Sequence, residues 1–359
     1  MESSPIMIMA GGTGGHVYPA LAVADYLRAK GIPLFWLGTP RGIENRVVPE
    51  QGIELLTVRV SGVRGKGVLN KLAAPAKILT AILQAMCICI RRRPAAVLGM
   101  GGFASGPGGI AAWLLRIPLL IHEQNRVAGT TNRILTRFAV KVMQGFPGTF
   151  RDGAKVITTG NPVRREIVHL PGPKIAGTAE RPNILVLGGS QGAQQLNRVV
   201  PLGLNRLRHR LKVNVWHQCG EKHLIETERL YGSLQLDQVR VEPFITDMAS
   251  AYSWADIAVC RAGALTIAEL CAAGLASILI PFPYAIDDHQ TANARYLSDS
   301  GAALLLPENE LTEARIEDLL WRLCSTENRL FELAQKTRMQ AYPDAAQTVA
   351  SLCLEEAYA

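Results

Sequence analysis

Two stretches far apart in the chain share one pattern: a short apolar run, a glycine cluster, then a helical sequence. The first is Ile6–Met9 followed by Gly11-Gly12-Thr13-Gly14-Gly15, and the second is Ile184–Leu187 followed by Gly188-Gly189-Ser190-Gln191-Gly192. A strand that feeds a glycine turn and then a helix opens a doubly wound parallel sheet, so the repeat predicts two such halves. Further short apolar runs at Leu34–Leu37, Ala96–Gly99, Leu119–Ile121, Val213–His217, Ile257–Cys260 and Ile278–Ile280 alternate with helical stretches. That rhythm is the signature of βα units. A chain of 359 residues is long enough for two domains. The expected architecture is α/β: two Rossmann-like domains whose parallel sheets face each other across a cleft. The join is expected near Gly160-Asn161-Pro162, giving domains of 1–162 and 163–359, with a last helix able to cross back onto the first. The stretch Leu170–Pro182 is the second choice of boundary.

Hydrophobic residues at 48% and charged residues at 19% describe an ordinary globular chain and exclude disorder. The seven cysteines are scattered, without metal-ligand spacing, and are expected to be reduced thiols of a cytoplasmic protein. Ile6–Met9 ends in glycine rather than a cleavage site, so it is expected to be a first strand and not a leader. The net charge of +8 is local: between Arg59 and Arg93 lie eight basic residues and no acidic one. This points to an anionic partner at one segment and not to nucleic acid.

The glycine clusters carry the first chemistry. In Ala10-Gly11-Gly12-Thr13-Gly14-Gly15-His16, backbone N–H groups can approach an oxyanion at a helix start; the alternative is a tight turn required by packing alone. The third glycine of a dinucleotide fingerprint is missing, the second strand ends without a ribose-binding acid, and no Walker A sequence occurs. NAD(P) and ATP are therefore disfavoured. His16 is a candidate base for a sugar hydroxyl, or else a helix-start histidine bonded to backbone. A second cluster, Gly101-Gly102-Phe103-Ala104-Ser105-Gly106-Pro107, also follows a strand and suits a second phosphate group or plain helix–sheet packing. His122-Glu123-Gln124-Asn125 crowds polar groups onto a strand end, where an α/β sheet lines its ligand crevice.

In the second half, Gly263 turns the chain from a strand into a helix. The N–H groups of Ala264, Leu265 and Thr266 can hold a pyrophosphate there. Glu269, one turn further in an otherwise small and apolar helix, can accept from both hydroxyls of a ribose. Ser190 lies in the glycine turn, Arg164 at the domain junction can neutralise a leaving diphosphate, and Gln290 can bond sugar hydroxyls or be a surface polar residue.

These motifs together resemble the MurG family of bacterial N-acetylglucosaminyltransferases, over nearly the whole chain. The resemblance rests on Gly11 to His16, Gly101 to Pro107, His122 to Asn125, Gly160 to Arg164, Gly188 to Ala193 and Arg261 to Thr266, in that order. It implies a GT-B hexosyltransferase that inverts the anomeric carbon of UDP-N-acetylglucosamine (UDP-GlcNAc). The acceptor it implies is undecaprenyl-pyrophosphoryl-MurNAc-pentapeptide (lipid I), glycosylated at the C4 hydroxyl of MurNAc to give lipid II for peptidoglycan. By motif match, the donor would be bound by Thr13, Gly14, Gly15, Asn125, Arg164, Ser190, Ile245, Ala264, Leu265, Thr266, Ile267, Ala268, Glu269 and Gln290. Ile245 would read the uracil through its backbone, His16 would be the base, and Gly101, Gly102, Ser105 and Gly106 would meet the acceptor diphosphate. No metal and no cofactor are expected. The family often has a Gln-Gln pair where this chain has His289-Gln290, a departure that touches the sugar contacts.

Leu72–Ile90 is apolar, contains Pro75, Lys77 and Gln84, and is flanked by Lys71 and Arg91-Arg92-Arg93. It is expected to be too short to span a bilayer and to lie on an anionic cytoplasmic leaflet as part of a peripheral inner-membrane protein, or to be a core helix with a basic end. A UDP-sugar 2-epimerase or another GT-B transferase is the enzymatic alternative, and a UDP-sugar sensor the non-enzymatic one.

Overall fold

The computed structural model describes residues 4–60, 74–174, 181–189, 192–326 and 328–358. The chain divides into two compact units, Met1–Arg164 with Pro343–Ala359 and Arg165–Tyr342. The first unit is built on β1 (Ile6–Met9), β2 (Leu34–Gly38), β3 (Leu55–Thr57), β4 (Ala96–Gly99), β5 (Leu119–Glu123), β6 (Lys141–Gln144) and β7 (Val156–Thr158). They pair in the order β3-β2-β1-β4-β5-β6-β7, all in parallel. The second unit holds β8 (Asn183–Leu187), β9 (Asn214–Gln218), β10 (Val239–Glu242), β11 (Ile257–Cys260), β12 (Ala276–Leu279) and β13 (Leu304–Leu305). Their order is β10-β9-β8-β11-β12-β13, again parallel.

Each sheet therefore has one point where the chain order reverses: between β1 and β4, and between β8 and β11. Loops leaving the carboxyl ends of those neighbouring strands diverge and leave a crevice. The glycine clusters follow these four strands.

β1 explains why a run as short as Ile-Met-Ile-Met is decisive. All four residues are solvent-inaccessible, and their period-2 alternation sends Ile6 and Ile8 to one face and Met7 and Met9 to the other. The isoleucines pack with Val17, Ala20 and Leu27 of the helix Gly14–Ala29 and with Val349, Ala350 and Cys353 of the helix Ala345–Ala357. The chain thus returns to its first unit at its end, and Tyr358 donates to the Ser4 carbonyl at 2.9 Å. The methionines meet Ala81, Ala85 and Cys89 of the helix Ala74–Arg92 and Ala111 and Ala112 of the helix Ser105–Leu114. Removing each such side chain from water stabilises the fold by about 1.5–3 kcal/mol.

In the second unit, Leu196, Val200, Leu204 and Leu207 place one apolar stripe of the helix Gln194–Leu207 on Ile184 and Val186 of β8. Gly203 lets that helix approach the helix Glu313–Ser325: a Cβ there would lie 2.6 Å from Ile316 Cγ2.

Candidate active site

In the first unit the two glycine loops at the β1/β4 crevice touch each other. Gly102 adopts φ +87°, and a Cβ on it would lie 2.4 Å from the Gly11 carbonyl oxygen. Gly101, at φ +103°, faces the imidazole of His16, where a Cβ would lie 2.7 Å from Nδ1. Both demands, a left-handed backbone and no side chain, select glycine. Ser105 is buried, and its hydroxyl lies 2.7 Å from the Gly101 carbonyl and 3.1 Å from that of Met9, so its side chain ties the loop to β1.

Sequence reasoning missed Glu44, at the start of the short helix Glu44–Glu50. This buried carboxylate accepts from the Gly12 N–H at 2.9 Å, the Thr39 N–H at 3.1 Å and the Thr39 hydroxyl at 2.8 Å. The Gly12 N–H therefore serves an internal anion. At the start of the helix Gly14–Ala29, no side chain caps the backbone donors behind Thr13.

His16 sits in the first turn of that helix, half-buried, with Nδ1 2.7 Å from Gln124 Oε1. The Gln124 carboxamide nitrogen lies 3.1 Å from His122 Nδ1 and 3.3 Å from the His122 carbonyl oxygen. His122 Nε2 in turn lies 2.9 Å from the Gly160 carbonyl oxygen. Burial pushes the His122 imidazole down from 6.5 to about 4, outweighing its bond to Gly160 and the charge of Glu123. Asn161 donates to the Gln124 carbonyl at 3.0 Å, so the Gly160-Asn161 turn clamps this strand end at two points. Glu123 accepts from the Asn125 N–H at 3.1 Å, the Gly129 N–H at 3.0 Å and Asn132 Nδ2 at 2.9 Å. Of the polar residues crowded onto β5, then, His122, Glu123 and Gln124 are buried framework, and Asn125 stands half-buried beyond them. The guanidinium of Arg164 lies over the Tyr18 ring, 5.6 Å from its centroid.

In the second unit the loop after β8 packs as tightly, here against the chain leaving β9. Gly192, at φ +76°, would place a Cβ 2.1 Å from the Cys219 carbonyl oxygen. That carbonyl also accepts from Asn197 at 2.9 Å, while Asn197 Oδ1 lies 3.0 Å from His217 Nε2 and Tyr231 lies 2.9 Å from His217 Nδ1. Burial pushes His217 down to about 3. Ser190 and Gln191 lie outside the described residues.

Gly263 leads from β11 into the helix Ala264–Ala273, whose start carries no capping side chain and no acidic residue in its first turn. The first N–H groups of this helix have no acceptor within it, and the helix dipole adds positive potential there. Glu269, only 5% exposed, accepts from Tyr252 Oη at 2.9 Å. The Ile245 N–H donates to Gln218 Oε1 at 3.0 Å. Gln290 accepts from the Phe282 N–H at 2.9 Å, and His289 Nδ1 lies 2.7 Å from the Ile286 carbonyl oxygen. Arg261, which the sequence marked only as part of a motif and gave no role, pairs with Glu308, donates to the Ile280 and Pro281 carbonyls at 3.2 Å each and lies over Phe282.

The helix Ala74–Arg92 differs from expectation. By length and composition it meets the requirement for a bilayer span. Its inward stripe is made of small residues, Ala81, Ala85 and Cys89, while Leu79, Leu83 and Ile90 are 58%, 53% and 58% exposed. The start of the expected segment, with Arg64, Lys66 and Lys71, lies outside the described residues.

Two parallel α/β units, each with polar groups at its switch point, are those of the GT-B fold, and comparison with known proteins shows that the chain is a glycosyltransferase. Residues 6–144 match the model of the glycosyltransferase family 28 N-terminal domain, and residues 183–349 that of its C-terminal domain. A UDP-N-acetylglucosamine–N-acetylmuramyl-(pentapeptide) pyrophosphoryl-undecaprenol N-acetylglucosamine transferase from Alkalilimnicola ehrlichii is 53% identical over 98% of this chain and 99% of its own. The protein of the same name from Methylococcus capsulatus is 52% identical, with 98% of each chain covered. The crystal structure of Acinetobacter baumannii MurG superposes with a TM-score of 0.82 at 41% identity, covering 98% of this chain and 99% of that one. The chain belongs to glycosyltransferase family 28, and within it to the MurG family.

Proposed function

We propose that this chain transfers N-acetylglucosamine from UDP-GlcNAc to the C4 hydroxyl of the MurNAc residue of an undecaprenyl-pyrophosphoryl-linked pentapeptide, with inversion. The names of its full-length relatives support the substrates. The observation that carries the donor half is the helix Ala264–Ala273, which offers uncapped N–H groups at its start and a buried carboxylate at Glu269. One helix thereby presents an anion site at its start and, beyond its first turn, a carboxylate able to accept from a diol.

The N–H groups of Ala264, Leu265 and Thr266 hold the pyrophosphate, with Ile267 and Ala268 completing the turn that carries Glu269 to the ribose. The Ile245 carbonyl accepts from uracil N3–H, and Gln290 donates through its carboxamide nitrogen to a sugar hydroxyl. Thr13, Gly14, Gly15 and Asn125 also contact the donor, and Arg164 offsets the charge on the departing diphosphate. His16 takes the proton from the acceptor hydroxyl. The oxygen lone pair forms the new bond to the anomeric carbon on the face opposite the leaving group, and the C1–O pair leaves with UDP. The amides of Gly101, Gly102 and Gly106 serve the acceptor diphosphate.

The chain works as a peripheral enzyme at the cytoplasmic face of an anionic membrane. The outward Leu79, Leu83 and Ile90 and the exposed Arg91 and Arg93 support this reading. A helix with its large apolar residues outward and a basic end is suited to the interface plane.

Incubation with UDP-GlcNAc and a short-chain lipid I analogue should release UDP and form the disaccharide lipid. With donor alone, nothing should turn over. Accumulation of a 2-epimer without acceptor would replace the transferase reading by an isomerase.

A further inference from the structure

We infer that Gln124 and His122 act as positioning residues that fix which nitrogen of His16 carries its hydrogen, holding it on Nδ1 and leaving the lone pair on Nε2. The inference rests on the assignment of His16 as base.

It starts from an atom whose role is not in doubt. The Gly160 carbonyl can only accept, so the His122 Nε2 at 2.9 Å carries a hydrogen. His122 is completely buried and neutral at physiological pH, so its other nitrogen, Nδ1, is an acceptor. The neighbour at 3.1 Å must then donate, and of the two ends of a carboxamide only the nitrogen can. Its second hydrogen has the His122 carbonyl at 3.3 Å. The carboxamide oxygen is thereby turned to His16 Nδ1 at 2.7 Å, and an oxygen without hydrogen forces that nitrogen to be the donor. Polarity is handed from one backbone carbonyl through two side chains to the proposed base. At no step can a carboxamide flip or a ring inversion satisfy all four contacts.

The consequence is specific to the reaction. Which imidazole nitrogen is basic is set by the bond that the other one makes. With Nδ1–H held, the free lone pair is on Nε2 in every molecule. When His16 takes the acceptor proton, the Nδ1–H···O bond becomes charge-assisted and strengthens. That gain belongs to the transition state and not to donor binding, so its loss should appear in kcat. Gly101 completes the arrangement by leaving room for the ring.

The test uses the full-length protein labelled with 15N-histidine, with His16→Ala to assign its signal among seven histidines. Imidazole 15N spectra at alkaline pH should show His16 as the Nδ1–H tautomer. Gln124→Met, close in shape but with no donor and only a weakly accepting sulfur, should give a mixed-tautomer signal, lower kcat by about tenfold or more, and leave the KM for UDP-GlcNAc within about twofold. A wild-type His16 carrying its hydrogen on Nε2 would overturn the inference whether or not the variant folds. So would a folded Gln124→Met with wild-type kcat and an unchanged His16 signal. If His16→Ala itself kept wild-type kcat, the base assignment would fall, a different result from a wrong tautomer on a necessary histidine.

Discussion

Removal of the Glu269 carboxylate measures how much of donor recognition passes through the ribose. Glu269 is nearly inaccessible, and Tyr252 donates to it at 2.9 Å. A hydrogen bond to a charged group contributes about 1.5–3 kcal/mol, and two ribose hydroxyls engage this carboxylate in the proposed complex. The two bonds share one carboxylate and do not add fully, so Glu269→Ala should cost about 3 kcal/mol of UDP affinity, roughly 150-fold in Kd. Tyr252→Phe removes only the bond that orients the carboxylate and should cost about 1 kcal/mol, roughly fivefold. Titration calorimetry with UDP and 2′,3′-dideoxy-UDP on wild type and both variants closes a cycle. The dideoxy ligand should bind wild type about as weakly as UDP binds Glu269→Ala, and that variant should barely distinguish the two ligands. Equal loss on both ligands would refute the ribose role, because the damage would then lie in folding or elsewhere in the site.

The two buried histidines predict an acid limit. His122 and His217 titrate near 6.5 when unfolded but at about 4 and about 3 in the fold, so below pH 6.5 the unfolded chain binds more protons. Stability is full above pH 6.5 and falls as pH drops, by roughly 2 kcal/mol per histidine at pH 5; thermal melts from pH 7 to 5 should show the fall, and His217→Gln should remove about half of it. Gly192→Ala, whose Cβ would lie 2.1 Å from the Cys219 carbonyl, should cost several kcal/mol in the second unit and abolish UDP binding by calorimetry. Neutralising Arg91, Arg92 and Arg93 should weaken flotation with anionic vesicles by about 1 kcal/mol for each of Arg91 and Arg93 and less for Arg92, which is paired with Glu54; the effect should fade in high salt.

Most central strands were legible in the sequence because a strand covered on both faces is apolar throughout, as in Ile6–Met9 and Ile257–Cys260. The internal β6, Lys141–Gln144, was missed because both its ends are polar, and so were the edge strands. β3, β7 and β13 are only half-covered, and β10 reads Val239-Arg240-Val241-Glu242, polar on its open face. Glu269 stood out as a lone charge in a small, apolar helix. Glu44 did not stand out, because its partner is remote: it holds Gly12 from 32 positions away. His122-Glu123-Gln124 did announce itself as polar residues on a buried strand end, but only the fold shows that these side chains turn inward.

The two glycine-led units look like copies, yet their chemistry diverges at one detail. In the first, the Gly12 amide is engaged by the buried Glu44 carboxylate, and Gly101 and Gly102 are shaped around His16 and Gly11. In the second unit the helix start at Ala264 carries neither a capping side chain nor a first-turn acid, so its positive end stays available to a diphosphate. The first loop needs glycine to seat the His16 imidazole against backbone. In the proposed reaction the first unit supplies the base and the helix start of the second holds the donor diphosphate, the division that a single-displacement sugar transfer requires.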